Sequence, residues 1–182
     1  NGPTWTILST NERVLLFDGS DDYVNCGNGE SLKNIKQNLT VSFWVYINTW
    51  ANWKNFLAHL IAVSPWQRWV IGTGNNAGQI TFLIRYESGE TILYSSSSLI
   101  NTQTWYHIVG VADTKLKLYV NGVKIPQEED VTNLIREATS NVWISYGSSG
   151  INGYLDDVRI YNRALSAGEI QYLYTKTQAR YK

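Results

Sequence analysis

The sequence predicts an all-β chain closed by one short C-terminal helix. Two kinds of pattern carry that expectation. Stretches of alternating apolar and polar residues recur along the chain, most clearly in Thr40–Asn48, where Val41, Phe43, Val45 and Ile47 oppose Ser42, Trp44 and Tyr46. Turn signals separate such stretches, the strongest being Asn121-Gly122, a dipeptide suited to a two-residue hairpin turn with positive φ at both positions. Helical spacing follows Ser166. Ser166 and Glu169 form a capping box, and Ile170, Leu173 and Tyr174 supply one apolar stripe.

In chain order, Trp5–Leu8 reads as an added edge strand and Val14–Asp18 as the next strand, with Tyr23–Cys26 returning after the turn Gly19–Asp22. A helical turn is expected at Ser31–Ile35 inside a loop. Phe56–Val63 and Arg68–Gly72 read as strands around Ser64-Pro65-Trp66. Gln79–Tyr86 and Thr91–Ser98 form a hairpin across Ser88-Gly89, and Trp105–Ala112 leads into Leu116–Val120 and Val123–Ile125. Pro126–Asp130 reads as acidic and irregular, and Asn141–Tyr146 as a strand. The last strand begins near Gly153, whose freedom permits a sharp turn. It carries Tyr154, Asp156, Val158 and Ile160 on one face and Leu155, Asp157, Arg159 and Tyr161 on the other.

Four pieces, in order, resemble the laminin-G-like domains of the concanavalin A-like lectin/glucanase superfamily. They are Phe17–Val24, Leu39–Tyr46, Trp105–Val109 with Leu118–Lys124, and Gly153–Leu165 continuing to Ile170. The resemblance runs from about Val14 to Tyr174. It implies a jelly roll, a two-sheet antiparallel β-sandwich, with residues 1–182 as a single domain. It also implies an extracellular or cell-surface location. It says little about function, because one fold can host lectins, enzymes, adhesins and toxin domains alike.

Composition narrows the partners. The chain has 182 residues with 15 basic and 15 acidic side chains, a formal net charge of zero, which argues against a nucleic-acid footprint. A chain of that length can bury a core without covalent staples. No apolar run is long enough to span a bilayer. The chain starts at Asn1 and contains no Met, which reads as a mature fragment or an excised module. Cys26 is alone, so no internal disulfide forms, and its strand-like setting predicts a small buried residue. Eight Trp and twelve Tyr exceed what a core requires and predict aromatic surface.

Catalysis finds little support in the pattern. A retaining glycosidase pair must sit about 5–5.5 Å apart. Asp156 and Asp157 are adjacent and face opposite sides of a regular strand. Glu128, Glu129 and Asp130 lie in an expected loop, and Glu87 and Glu90 flank a turn. His107 reads as a hydrogen-bonded core histidine and His59 is undecided. No catalytic residue is assigned.

A structural Ca²⁺ is expected instead. The resemblance implies an ion tying the first-strand loop to the last strand, and Asp18 and Asp156 fall on the matching positions, with Asp21 and Asp22 close by. The competing reading makes Asp18 and Asp21 turn-formers and Asp156 part of a bulge.

The aromatic residues divide. Trp44 and Trp105 sit at structural positions of the family and are expected in the core. Trp50, Trp53, Trp66 and Trp69 cluster within 20 residues, among Asn52, Gln67 and Arg68, with Tyr46, Arg85 and Tyr86 as sheet-face neighbours. They read as a platform on which sugar rings stack, with polar partners for the hydroxyls. The bland alternative is a crossover that covers one end of the sandwich. The functional expectation is a non-catalytic carbohydrate-binding module of a larger secreted or cell-surface protein, binding a glycan or glycoconjugate by aromatic stacking. The alternative is a protein-interaction or adhesion module, and a hydrolase or lyase is the third class.

Overall fold

The computed structural model of the chain describes residues 2–60, 67–137, 140–146 and 149–182, without the side chains of Leu60 and Gln67. With strands numbered along the chain, the described residues form two antiparallel sheets. The seven-stranded sheet runs β1 (Thr4–Ile7), β2 (Arg13–Asp18), β13 (Asn152–Tyr161), β4 (Leu39–Thr49), β9 (Trp105–Ala112), β10 (Lys115–Val120), β11 (Val123–Asp130). The six-stranded sheet runs β3 (Val24–Asn25), β12 (Val142–Ile144), β5 (Asn55–Leu60), β6 (Gln67–Thr73), β7 (Ile80–Tyr86), β8 (Gly89–Tyr94). Helix α1 covers Glu30–Lys33 and α2 covers Ala167–Thr177, followed by a 3₁₀ turn, Gln178–Tyr181. The two-sheet sandwich with a short C-terminal helix is the architecture expected from sequence.

Alternation explains the core. Val41, Phe43, Val45 and Ile47 of β4 meet Ile80, Phe82 and Ile84 of β7 and Trp69 and Ile71 of β6 between the sheets, all essentially without solvent exposure. Each such side chain contributes about 1.5–3 kcal/mol relative to exposure. A one-residue slip of β4 would send Ser42 inward and its aliphatic face outward, so the register is strongly specified.

The opposite face of the seven-stranded sheet is also covered. Ser166 and Glu169 close the capping box, with Ser166 N–H donating to Glu169 Oε2 at 2.8 Å and Glu169 N–H to Ser166 Oγ at 3.3 Å. The helix so started lays Ile170 and Leu173 on Val109, Val111 and Tyr119. Trp44 is 3 % exposed, yet it lies under the C-terminal segment rather than between the sheets. Its ring stacks on Tyr181 at 4.3 Å, and its Nε1 donates to Thr177 Oγ1 at 2.9 Å. Trp105 is half-buried beside the same tyrosine.

Three local expectations need correction. Val24–Asn25 does not return alongside β2; it crosses to the second sheet and pairs with β12. Cys26, just beyond it, is exposed rather than buried. Residues 126–130 are strand rather than loop. They continue β11, with Pro126 where the ladder to β10 shifts register between the pairs Lys117–Glu128 and Tyr119–Lys124, in an outer strand where the N–H that proline lacks is not needed for a second ladder.

At the β10–β11 hairpin Asn121 has φ 51° and Gly122 φ 81°, as a turn with two positive φ values requires. A Cβ on Gly122 would also press into the side chain of Gln171 on α2. Gly122→Val should therefore lower stability by about 1–2 kcal/mol, read from the shift in denaturation midpoint; an unchanged midpoint would refute the turn.

Two histidines are inside. His107 Nε2 lies 2.9 Å from Ser42 Oγ under α2, as expected of a bonded core histidine, and His59 Nε2 lies 3.0 Å from the Ser140 carbonyl oxygen. Burial, with Arg68 beside His59 and Arg159 near His107, lowers both pKa values from 6.5 to about 4. Between those values the unfolded chain binds protons that the folded chain refuses, so stability is complete above about pH 6.5 and declines as pH falls towards 4. The melting temperature should drop between pH 7 and pH 4.5, and His107→Gln should flatten part of that slope.

Candidate functional site

The loop joining β4 to β5 carries three of the sequence-predicted ligand residues. Trp50 is half-buried against the core, and its Nε1 donates to Asn52 Oδ1 at 3.0 Å. Asn52 in turn donates from Nδ2 to the Asn75 carbonyl oxygen at 2.7 Å. This pair fastens the loop to the β6–β7 turn. Trp53 behaves differently. It is 52 % exposed, holds φ at 58°, and meets Tyr94 of β8 edge-on at 6.4 Å.

The rest of the expected platform does not assemble there. Trp66 lies outside the described residues, as does the side chain of Gln67. Trp69 and Arg68 both have no exposed surface. The cause is a β-bulge: His59 faces Trp69 while Leu60 faces Gln67, which leaves Arg68 as the extra residue. Simple alternation would send one of Arg68 and Trp69 outward, and the bulge buries both. The Arg68 guanidinium donates to the carbonyl oxygens of Leu32, Lys33 and Ile35, which holds α1 and the residues after it on the sheet. Burial lowers its pKa to about 10. Tyr86 is buried at 4 % exposure, and its hydroxyl donates to Thr91 Oγ1 at 2.7 Å. Arg85 points outward but is paired with Glu90 at 2.5 Å.

What Trp53 does face is the outer surface of the six-stranded sheet. Pairing aligns Trp143, Ala58, Val70, Leu83 and Ile92 in one cross-strand row, and Asn55, Gly72, Thr81 and Tyr94 in another. A depression of about 300 Å³ opens over these rows, lined by Trp53, Asn55, Val70, Thr73, Thr81, Leu83, Ile92 and Ser149. Val70, Leu83 and Ile92 supply its apolar lining and Asn55 and Ser149 its partly exposed polar groups, while Thr73 and Thr81 are buried with their hydroxyls donating to backbone carbonyls. Beside it, Tyr23, Trp143 and Tyr146 form a second aromatic group, with ring centroids 5.1 and 5.0 Å apart, and Tyr23 and Tyr146 are exposed. Sequence reasoning did not gather these three, because their strands meet only through tertiary pairing. The signal present was Trp143 flanked by Val142 and Ile144, which places it outward once the neighbours face the core.

The carboxylates expected to share Ca²⁺ are apart. Asp18 faces Asn152 across β2 and β13, and Asp156 lies four residues further along. At about 3.3 Å per residue that is roughly 13 Å, whereas ligands of one Ca²⁺ each lie about 2.3–2.6 Å from it. Asp156 Oδ2 instead accepts the Tyr181 hydroxyl at 2.5 Å, and burial together with that carboxylate raises the tyrosine pKa. The strand bulges beside it, with Asp157 at φ 48° and paired to Arg159. Carboxylate oxygens of Asp18, Asp21 and Asp22 do lie within 4.8 Å of one another. Asp22 Oδ2 accepts from Asp18 N–H at 3.0 Å and Asp18 Oδ1 from Ser20 N–H at 2.8 Å, which are turn-forming roles.

Several other carboxylates serve ion pairs. Hydrogen bonds from Arg163 and from Ser166 hold Glu169 down at about 2, and those from Lys124 and Lys115 hold Glu128 below the usual range. A general acid needs the opposite shift. Among the described residues no helix is long and apolar enough to cross a membrane.

Comparison with solved structures places the same fold in toxin binding domains. The binding domain of Paraclostridial Mosquitocidal Protein 1 superposes with a TM-score of 0.76 at 19 % identity, over 97 % of this chain and 46 % of that one. The binding domain of botulinum neurotoxin serotype G gives 0.72 at 15 %, over 97 % and 47 %. That of botulinum neurotoxin DC, in complex with SialylT, gives 0.70 at 18 %, over 96 % and 44 %. The chain thus spans less than half the length of these domains. No curated protein sequence matches it. A laminin G family model of the concanavalin A-like lectin/glucanases superfamily matches residues 18–171, and the chain belongs to that family.

Proposed function

We propose that the chain is a non-catalytic carbohydrate-binding module of a larger extracellular or cell-surface protein. The observation that carries this reading is the depression beneath Trp53. An exposed indole beside Val70, Leu83 and Ile92 offers a flat surface to the C–H face of a sugar ring, and the partly exposed Asn55 and Ser149 offer hydrogen bonds to its hydroxyls. Trp53 is held in a left-handed conformation that bulky residues rarely adopt, a cost typical of groups placed for a task. The binding domains among the structural neighbours, one of them in complex with SialylT, support a glycan as ligand. This reading keeps Trp53 from the expected Trp50–Trp69 crossover, in which Trp69 and Arg68 have no exposed surface.

The second reading, a protein-interaction or adhesion module, is favoured by β1, where Trp5 and Ile7 are exposed at 65 % and 61 %.

The test is a glycan array with the bare chain, followed by titration of the best ligand with and without a chelator. The chelator arm reads any Ca²⁺ contribution from the Asp18–Asp22 turn. Trp53→Ala should weaken binding about tenfold, equivalent to about 1.4 kcal/mol, with little change in melting temperature because the ring is exposed. Binding that ignores Trp53→Ala would remove this site, and an array without ligands would remove the glycan reading.

A further inference from the structure

Each sheet has two edges, and three of the four are guarded. β3 has two residues. β8 is closed by β11, with Thr91 Oγ1 donating to the Asp130 carbonyl oxygen at 3.1 Å. β11 contains Pro126 and a charged row of Lys124, Glu128 and Asp130. Short strands, proline and charge are the usual means of discouraging edge-to-edge pairing. β1 is short as well, four residues after Pro3, but it holds no proline and no charged residue within the strand. Its sequence is Thr4-Trp5-Thr6-Ile7, and among the described residues it is paired on one side only, with β2.

The two large side chains of β1 share a face. Trp5 faces Leu15 across the ladder and Ile7 faces Arg13. Leu15 packs against the main core, so Trp5 and Ile7 belong to the face turned towards the second sheet, at an edge which that sheet leaves exposed. An uncovered apolar strip here adjoins an open row of backbone donors and acceptors.

We propose that β1 pairs antiparallel with β1 of a second copy of this chain across a two-fold axis, joining the two seven-stranded sheets. The strand is self-complementary in one register. A two-fold axis normal to the sheet keeps like faces together only when it passes through a residue. Centred on Thr6, it sets Trp5 opposite Ile7 of the second copy and Ile7 opposite Trp5, both aromatic–β-branched pairs of the kind that stabilise ladders. Centred on Trp5, it would put Pro3 opposite Ile7, where a donor is missing. Centred on Ile7, it would face Trp5 with Ser9, beyond the strand. A formal net charge of zero leaves no collective repulsion between copies, and the strand itself carries no charge to oppose its like. Four residues per copy make a small interface, so the association is weak and concentration-dependent.

Sedimentation equilibrium of the chain over a rising concentration series tests this, with disulfide trapping to read the register. The mass should climb from one chain towards two. Trp5→Lys should hold the protein at one chain throughout, with an unchanged melting temperature in dilute solution. In a Cys26→Ser background, Thr6→Cys should cross-link to a covalent dimer under mild oxidation, because the two-fold sets residue 6 against itself at bridging distance. Thr4→Cys should not, since it would face Leu8. A single-chain mass at every concentration, a dimer that survives Trp5→Lys, or equal trapping by Thr4→Cys and Thr6→Cys would each overturn the proposal.

Discussion

The seven-stranded sheet depends on the insertion of β13 between β2 and β4. Its ladder to β2 runs Asn152 to Leu155, and its ladder to β4 runs from Asn152 to Tyr161. Without it, the hairpin of β1 and β2 would have no bond to the rest of the sheet. Gly153 makes the insertion feasible: a Cβ there would collide with the Tyr46 carbonyl oxygen. The same strand ends in the turn that starts α2, so one segment both closes the sheet and lays the helix over it. The partly buried hydroxyl–carboxylate pair of Tyr181 and Asp156 ties the last turn of the chain back onto that strand.

The two faces of the six-stranded sheet then divide the work. The inner face is aliphatic and aromatic and packs against β4 and its neighbours. The outer face keeps partial exposure of Val70, Leu83, Ile92 and Trp143, and small residues at Ala58 and Gly72 leave room above the sheet. Much of the other sheet's outer face lies under α2 and the turn after it. A ligand surface on the sheets is therefore most open on the six-stranded one, and the loop bearing Trp53 stands at its end.

Much of the fold was legible because it follows local rules. The alternation of β4, the Asn121-Gly122 turn and the Ser166–Glu169 box each depend on neighbours a few residues away. The site was less legible because it depends on register. The bulge that buries both Arg68 and Trp69 adds one residue to a ladder, and nothing in the sequence Gln67-Arg68-Trp69 marks it. The four residues that separate Asp156 from the Asp18 pairing position are likewise a property of strand alignment. Trp44 was read as core, and it is buried, but beneath a helix rather than between sheets; alternation gives the face of a strand and not what will cover it.

Threading β13 between β2 and β4 also imposes an order on biosynthesis. β4 ends at Thr49 and β13 begins at Asn152. At about 5–20 residues per second, translation needs roughly 5–20 s to deliver the missing strand. During that interval the facing edges of β2 and β4 wait unpaired on the ribosome, with Phe17, Phe43 and Val45 lacking their final cover. The native topology therefore gives the nascent chain a defined period in which holdase chaperones have the most to protect.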